Sequence, residues 1–218
     1  MKKQAILAAL LGTFLLTGCA NKPDGERNDS LEGFNRTMWK FNYNVMDRYV
    51  LEPVAKGWNN YVPKRVSSGL TSMANNLDEP VSFVNRLIEG EPKKAFVHFN
   101  RFWINTIFGL GGFVDFASAS KELRIDHQRG FGETLGSYGV DAGTYIVLPI
   151  YNATTPRQLT GAVVDAAYMY PFWEWIGGPW SLVKYGVQAV DTRAKNLDNA
   201  ELLRQAQDPY VTFREAYY

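Results

Sequence analysis

Apolar residues recur every three or four positions along most of this chain, which is the spacing of amphipathic α-helices. The first such pattern follows Asp29 and Glu32, whose spacing is that of a capping box, so a helix is expected to begin near Ser30. Its apolar positions are Leu31, Phe34, Met38, Phe41, Val45 and Tyr49. Pro53 is expected to end or redirect this helix, because proline lacks a backbone N–H and clashes with the preceding turn.

Two shorter helices are expected next. A weak repeat covers residues 64–76, and Asp78-Glu79-Pro80 begins a second pattern in which proline suits the first turn and the acidic residues complement the helix dipole. Gly90 closes that helix, because glycine readily takes the left-handed conformation found after helix ends.

The helix that begins at Pro92 has the most unusual pattern. Its aromatic stripe consists of Phe96, Phe99, Trp103 and Ile107, and its polar stripe consists of Lys94, His98, Arg101 and Asn105. A wide aromatic face opposite a narrow polar stripe suits the boundary between a membrane and water. The alternative is an ordinary core helix with one solvated edge, and the pattern alone favours neither.

Three glycines, Gly109, Gly111 and Gly112, interrupt the helical pattern. A nucleotide-binding loop would need a preceding strand and a third glycine at position 114, where this chain has valine. The glycines therefore predict a tight turn or a re-entrant hairpin, since glycine lets the backbone turn sharply and pack closely.

The second half of the chain contains two longer helix patterns. Residues 131–152 are rich in glycine and tyrosine and show no clear period, whereas 159–170 predicts an apolar helix that stops at Pro171 before an aromatic turn. A last long helix is expected over 180–196, with a polar stripe of Lys184, Gln188, Asp191 and Lys195. A short final segment is expected to start at Asp208-Pro209.

The N-terminus has the features of a lipoprotein signal. Two lysines precede an apolar run over 5–17, which is too short to cross a membrane and has the length of a signal-peptide core. Gly18 directly before Cys19 is the pattern of a bacterial lipoprotein, so residues 1–18 are expected to be removed and Cys19 to carry lipid.

The expected lipidation defines the rest of the organisation. Cys19 is the only cysteine, so a disulfide or a cysteine-based zinc site is excluded. Ala20 rather than aspartate follows it, a pattern that resembles outer-membrane sorting. Residues 19–28 are polar and suit a tether, and 29–218 suits a single domain.

Charge and hydropathy exclude two classes of protein. Without the two N-terminal lysines the chain has 21 basic and 22 acidic residues and no basic tract, which argues against nucleic acid as a partner. Beyond the signal there is no run of eighteen apolar residues, so no ordinary single-helix membrane span is expected.

Candidate catalytic residues are few. Only His98 and His127 are available, which excludes a histidine-rich metal site, and Ser137 lacks the first glycine of a nucleophile elbow. Ser137, His127 and Asp141 could be assembled into a triad, but such triples occur in most sequences. Three glutamates near two helix starts are expected to be surface residues that complement helix dipoles: Glu79, Glu89 and Glu91. The sequence thus predicts no enzyme, metal or cofactor.

Several motifs in order along the chain resemble the MlaA (VacJ) family. They are DSLEGFNR at 29–36, NLDEP at 76–80, HFNRF at 98–102, GLGGFVD at 109–115, FGETLG at 131–136, DTRA at 191–194 and REAY at 214–217. The resemblance covers the whole mature domain. Many members continue with a polar tail, whereas this chain stops at Tyr218, which puts any role of that tail in doubt here.

The resemblance implies an all-α, ring-like bundle of amphipathic helices, embedded in one membrane leaflet, with glycine-rich hairpin segments. It implies an outer-membrane lipoprotein that removes misplaced phospholipids from the outer leaflet through an amphipathic channel, beside a trimeric porin, and passes them to the periplasmic carrier MlaC. On this view Arg101 and Lys184 face the channel or its rim, where a cation could meet a lipid phosphate, and Gly109, Gly111 and Gly112 form a gating hairpin. For Lys184, a position on the periplasmic surface is the alternative.

Two other functions are compatible with the sequence. A lipid-anchored scaffold could bind porins without passing lipid, and a periplasmic hydrolase could use Ser137, although its motif is incomplete. The level of phospholipid in the outer leaflet of a deletion strain separates a transporter from a scaffold.

Overall fold

The computed structural model describes residues 29–176 and 179–218, so the predicted signal peptide, Cys19 and the tether lie outside the described residues. The α-helices are α1 (Glu32–Phe41), α2 (Glu52–Tyr61), α3 (Lys64–Asn76), α4 (Glu79–Ile88), α5 (Pro92–Ile107), α6 (Phe131–Ser137), α7 (Pro156–Ile176), α8 (Trp180–Lys195), α9 (Leu197–Gln205) and α10 (Pro209–Tyr217). A π-helical segment (Asn42–Leu51) joins α1 to α2, and short 3-10 turns occupy Ala117–Ala119 and Lys121–Leu123. The expected helical class is confirmed.

The first helical run continues through Pro53, which was expected to end or redirect it. The backbone stays helical from α1 through the π-helical segment into α2, and Pro53 lies next to the junction where the π-helical segment changes to α-helix. The capping box predicted at the start of α1 does not form. Asp29 instead accepts a hydrogen bond from Asn35 Nδ2 at 2.8 Å and another from the hydroxyl of Tyr210, far along the chain.

Four of the other predicted helices form close to their expected bounds, namely α3, α4, α5 and α8. The helix expected to stop at Pro171 continues to Ile176, so that prediction is wrong. A proline inside a helix costs about 3 kcal/mol. The 21-residue length of α7 shows that this cost is tolerated here.

The unassigned region 131–152 contains α6 and the first strand of a small hairpin. Strand β1 (Ile146–Leu148) pairs antiparallel with β2 (Asn152–Thr154), with Val147 opposite Ala153. Three-residue strands are too short to show a period of two. Sequence alone therefore left this region open.

Two asparagines of the first helical run hold this hairpin. Asn35 donates to the carbonyl of Tyr145 at 2.9 Å and accepts from the N–H of Val147 at 2.8 Å. Asn42 makes the same pair of contacts three residues further on, donating to the carbonyl of Leu148 at 2.7 Å and accepting from the N–H of Ile150 at 2.8 Å. Amide side chains thus act as a neighbouring strand for β1. Beside them lies the apolar cluster of Trp39, Tyr145, Val147 and Tyr210.

The remaining helices pack in pairs. Helix α4 packs against α5, α6 against α7, and α8 against both α2 and α3. These pairings bring the polar stripes of the helices together, and they create the site described below. Among the described residues, no helix combines the length and the apolar character that crossing a bilayer requires.

Candidate functional site

The polar and apolar residues of this protein are distributed in the reverse of the usual way. Among the described residues, 16 buried residues are polar or charged and only 11 are hydrophobic, whereas soluble proteins bury mainly apolar side chains. Many large hydrophobic side chains are exposed at the same time, far more than the isolated ones that are normal on a soluble surface.

Helix α5 shows the reversal most clearly. On its polar stripe, His98, Arg101 and Asn105 are only 2%, 6% and 3% exposed. On its aromatic stripe, Phe96 and Ile107 are 57% and 62% exposed. The interpretation as a core helix with a solvated edge is therefore wrong, because the aromatic side faces outward.

A buried carboxylate from α4 receives two side chains of this stripe. Glu79 Oε2 lies 2.7 Å from His98 Nδ1, and Glu79 Oε1 accepts a hydrogen bond of 2.7 Å from Arg101 Nε. Gln128 Nε2 donates to the same Oε1 at 3.3 Å. Glu79 was expected to be a surface residue, and this expectation is wrong, because its side chain is buried. It joins α4, α5 and the following loop.

The other side of the Arg101 guanidinium is also occupied. It donates to Asp115 at 3.1 Å, to the hydroxyl of Ser118 at 3.2 Å and to the carbonyl of Leu123 at 2.9 Å. Burial opposes the charge of Arg101, but the bonds to Glu79 and Asp115 outweigh it and raise its pKa. Burial likewise opposes the charge of Asp115, but hydrogen bonds from Ser118, Asn105 and Arg101 lower the pKa of this carboxyl. Four hydrogen bonds thus hold Arg101, and its charge is used within the protein.

A second polar junction links α4 to α7. Asn85 Nδ2 lies 3.0 Å from Asp165 Oδ1, 2.9 Å from the hydroxyl of Tyr168 and 3.1 Å from the carbonyl of Arg129. Burial, followed by the hydrogen bond to Asp165, raises the pKa of Tyr168. This junction fixes the apolar helix α7 to the polar side of α4.

Glu89 forms a third junction, at the end of α4. Its carboxylate accepts hydrogen bonds from Arg129 Nε at 2.6 Å, the hydroxyl of Thr134 at 2.9 Å and Arg86 at 3.0 Å. Arg86 also donates to Glu91 at 2.7 Å. The expectation of a surface position is wrong for Glu89 as well.

The sequence contains a signal for this line of polar residues that did not lead to its prediction. Glu79, Ser82, Asn85 and Glu89 recur at spacings of three, three and four residues. Such a stripe was expected to face solvent, because polar residues of soluble helices usually do. The structure turns the stripe inward instead.

Lys184 of α8 lies inside the protein. It is 5% exposed, and its Nζ lies 2.5 Å from Asp78 Oδ1 and 4.2 Å from the centre of the Tyr185 ring. Gln188, one turn later, donates to Asp78 Oδ2 at 2.8 Å. The alternative that placed Lys184 on the surface is therefore wrong. Arg101 and Lys184 belong to separate ion-pair networks in this structure.

The three glycines form a tight turn after α5. Leu110, Gly111 and Gly112 have φ angles of +54°, +72° and +95°. A Cβ atom on Gly112 would lie 2.6 Å from Asn76 Cβ, and one on Gly109 would lie 2.1 Å from the Val114 carbonyl oxygen. The turn thus needs glycine both for conformation and for its close contact with α3.

The candidate catalytic residues do not form a site. Ser137 donates its hydroxyl to the carbonyl of Thr134 at 2.7 Å, and His127 Nε2 lies 3.9 Å from Glu133, with half of its side chain exposed. In the part of the chain that the structure describes, no group of three or more His, Cys, Asp or Glu side chains is placed to hold a metal ion. The geometry instead describes a polar interior surrounded by apolar side chains.

Comparison with known proteins finds the same family along nearly the whole chain. The family model described as MlaA lipoprotein matches residues 27–218. A Haemophilus influenzae protein named intermembrane phospholipid transport system lipoprotein MlaA is 85% identical, over 100% of this chain and 89% of that protein. The Escherichia coli protein of the same name is 45% identical, over 99% of this chain and 86% of that protein.

A solved structure has the same fold. It is described as the structural basis for maintenance of bacterial outer membrane lipid asymmetry, and its TM-score against this chain is 0.78 at 44% identity. The match covers 88% of this chain and 96% of that one.

Proposed function

This chain belongs to the MlaA lipoprotein family, and we propose that it removes misplaced phospholipids from the outer leaflet of the outer membrane. Its function is phospholipid transport that maintains outer-membrane lipid asymmetry. In the proposed mechanism, a lipid enters an amphipathic channel within the helical domain and passes to a periplasmic carrier, MlaC.

The observation that supports this proposal is the polar interior beneath an apolar exterior. A phospholipid has roughly thirty acyl CH₂ groups, and exposing each to water costs about 0.8 kcal/mol. Unaided transfer through water would thus cost on the order of 20 kcal/mol. A shielded route must offer apolar surface to the tails and polar groups to the headgroup, and this protein contains both in quantity.

The same distribution supports a position within one leaflet, at the periplasmic face of the outer membrane. Aromatic side chains collect at bilayer interfaces, and the exposed side chains of α5, Phe96 and Trp103 among them, would lie among lipids there. Lipid on Cys19 would hold the domain at that membrane, and two or three acyl chains are enough for stable anchoring.

We assign Lys184 and Arg101 different roles along the lipid route. Asp78, the partner of Lys184, is partly exposed, so a lipid phosphate could replace its carboxylate on the ammonium group. Arg101 is held by four hydrogen bonds to protein groups, so it positions α4, α5 and the loop around the route.

The role of Lys184 is testable with a neutral pair. In the double variant Asp78→Asn with Lys184→Met both charges are lost together, so no buried charge is left unpaired and the fold is expected to persist. We expect normal protein levels but impaired removal of outer-leaflet phospholipid. Asp191→Asn with Lys195→Met is the matched control on the same helix, and it should keep wild-type activity. Full activity of the first variant would contradict the assignment.

The glycine turn is the proposed gate of the channel. The ring of Phe113 lies against Gly69 of α3, since a Cβ there would come within 2.3 Å of it. Cysteines introduced at these two positions should form a disulfide that fixes the turn to α3. We expect phospholipid removal to stop when the bond forms and to return on reduction. The Phe113→Cys single variant and the reduced double variant are the controls, and an active locked protein would exclude gating.

The overall function is tested in a deletion strain. Outer-leaflet phospholipid should rise without this protein and return to normal on complementation. A scaffold that only binds porins would leave that level unchanged. Co-purification of the protein with a porin trimer, MlaC and bound phospholipid tests the proposed partners separately.

A further inference from the structure

A cationic cleft lies away from the Lys184–Asp78 pair, where the π-helical segment, α2 and α9 meet. It encloses about 400 Å³ and is lined by Arg48, Glu52, Pro53, Lys56 and Arg204. This volume lies within the range of ligand pockets, which extends from about 300 to 1,000 Å³. The lining combines three cations with a single carboxylate.

The single carboxylate is already fully used by protein cations. Glu52 accepts Lys56 Nζ at 2.7 Å and a short contact from Arg204 Nη2, and Arg193 Nη2 lies 3.8 Å away. Hydrogen bonds from Lys56 and then Arg204 lower the pKa of Glu52 to about 2. Glu52 therefore stays ionised at neutral pH, and it neutralises only part of the surrounding positive charge.

The cations of the cleft keep donors for a ligand. Arg48 is exposed and makes no ion pair with any residue that the structure describes. Lys56 is 59% exposed and uses one of its three N–H donors on Glu52. Arg204 also pairs with Glu201 at 3.1 Å, yet cations still exceed carboxylates when Glu201 is counted.

A buried donor next to the cleft supports the same conclusion. Arg193 donates to Asp47 through Nε at 2.5 Å and through Nη2 at 2.8 Å. Its Nη1 is buried and has no hydrogen-bond partner among the described residues. Such a group is costly to leave unsatisfied. Arg193 does not line the cleft, but it adds a further positive charge beside Glu52.

The surroundings favour a lipid over a free ion. Pro53 contributes apolar surface to the cleft, and Tyr49, one turn earlier on the same helical run, is 72% exposed. An arginine fork binds phosphate oxygens well, and adjacent apolar surface can take the start of an acyl chain. We infer that this cleft binds the phosphate of an anionic glycerophospholipid headgroup, with Arg48 and Lys56 as the main contacts.

This inference rests on the proposed transport function and adds a headgroup preference to it. The test is a titration of the full-length lipoprotein, in micelles of an uncharged detergent, with fluorescent phosphatidylglycerol, followed by anisotropy. Unlabelled phosphatidylglycerol should compete, phosphatidylcholine should compete at least about tenfold more weakly, and inorganic phosphate should not compete. Raising the salt concentration should weaken binding.

The decisive variant is Arg48→Gln with Lys56→Gln, two exposed positions where folding should be preserved. Losing two charge-assisted contacts should lower the affinity by about tenfold or more. Arg65→Gln with Lys121→Gln removes the same charge elsewhere on the surface, and it should bind as the wild type does. Equal affinities of the two double variants would overturn the inference.

Competition by inorganic phosphate would also overturn it, because the cleft would then bind the free ion. Transport itself is judged separately, by outer-leaflet phospholipid in the deletion strain. If the titration fails but complementation is normal, only the headgroup site is excluded. If the cleft binds lipid but the protein does not affect lipid asymmetry, the transport function is excluded.

Discussion

Buried carboxylates organise this protein at the scale of single residues. Glu79 is held by His98 and Arg101, and Glu52 by Lys56 and Arg204. Removing one partner of a fully buried pair such as Glu79–Arg101 typically costs about 3–5 kcal/mol, as much as a large core cavity, because the other charge is left buried and unpaired. Lys56 is 59% exposed, and without it Glu52 would still pair with Arg204. Polar pairs rather than apolar contacts therefore determine how the helices meet.

Glu52 predicts a measurable response to acid. Its pKa is 4.5 in the absence of perturbation and about 2 in the folded protein. A depressed folded pKa means that the stability contribution is present above the unfolded pKa and lost as the pH falls. The unfolding temperature in detergent should therefore decrease between pH 4.5 and 2, and it should decrease less for Glu52→Gln than for the wild type.

The matched control for acid unfolding is Glu201→Gln, since Glu201 is exposed and bonded to Arg204 alone. This variant should follow the wild-type decline. The same pH dependence in Glu52→Gln and wild type would show that Glu52 contributes nothing to it.

At the scale of elements, the amphipathic helices turn apolar side chains outward and polar ones inward. Their periodicity specifies two faces, but it does not specify which of the two is buried. In α5 and α8 most of the polar stripe lies inside, with Lys94 and Lys195 exposed at its ends, and apolar residues such as Phe96 and Val183 lie outside. The glycine turn after α5 then lets the loop with Asp115 return to Arg101.

Gly112→Ala tests the requirement of that turn for glycine. Its φ of +95° is unfavourable for alanine, and the added Cβ would clash with Asn76. We expect a loss of about 1–3 kcal/mol in the free energy of unfolding, measured in detergent. Gly90→Ala is the control, because Gly90 has a φ of +74° but open space around it, so it reports the backbone strain alone. Equal losses in both variants would exclude the close contact as a cause.

At the scale of the whole molecule, the reversed distribution of polarity bears on what the predicted lipid anchor is needed for. A soluble domain on a tether would depend on Cys19 for every contact with the membrane. A domain with an apolar exterior would prefer the membrane by itself, and the anchor would then serve to direct it to the correct one.

Cys19→Ser separates these two possibilities. We expect the variant to be mislocalised in cell fractionation, because the predicted lipidation site is lost. The purified domain should nevertheless need detergent or bind to vesicles, since its exposed aromatic side chains remain. A monomer stable in plain buffer would contradict the proposed embedding. The wild type treated in the same way is the control.

The helical class, the bounds of several helices and, through the motifs, the family could be predicted from the sequence alone. Lipid attachment at Cys19 stays a prediction. These properties follow from local periodicity, from capping residues and from short motifs that occur in a fixed order along the chain. None of these requires knowledge of distant contacts. The sequence also marked Lys184 and the glycine turn as unusual positions.

The three-dimensional fold was needed to establish which helix faces are buried. Asn35 and Asn42 hold a hairpin more than 100 residues away, and α9 brings Arg204 to Glu52 over a similar distance. Sequence patterns cannot show such contacts, because a polar stripe looks the same whether water or another polar stripe covers it. Burial depends on what surrounds the whole molecule, and here the polar residues satisfy one another inside while the apolar ones face outward.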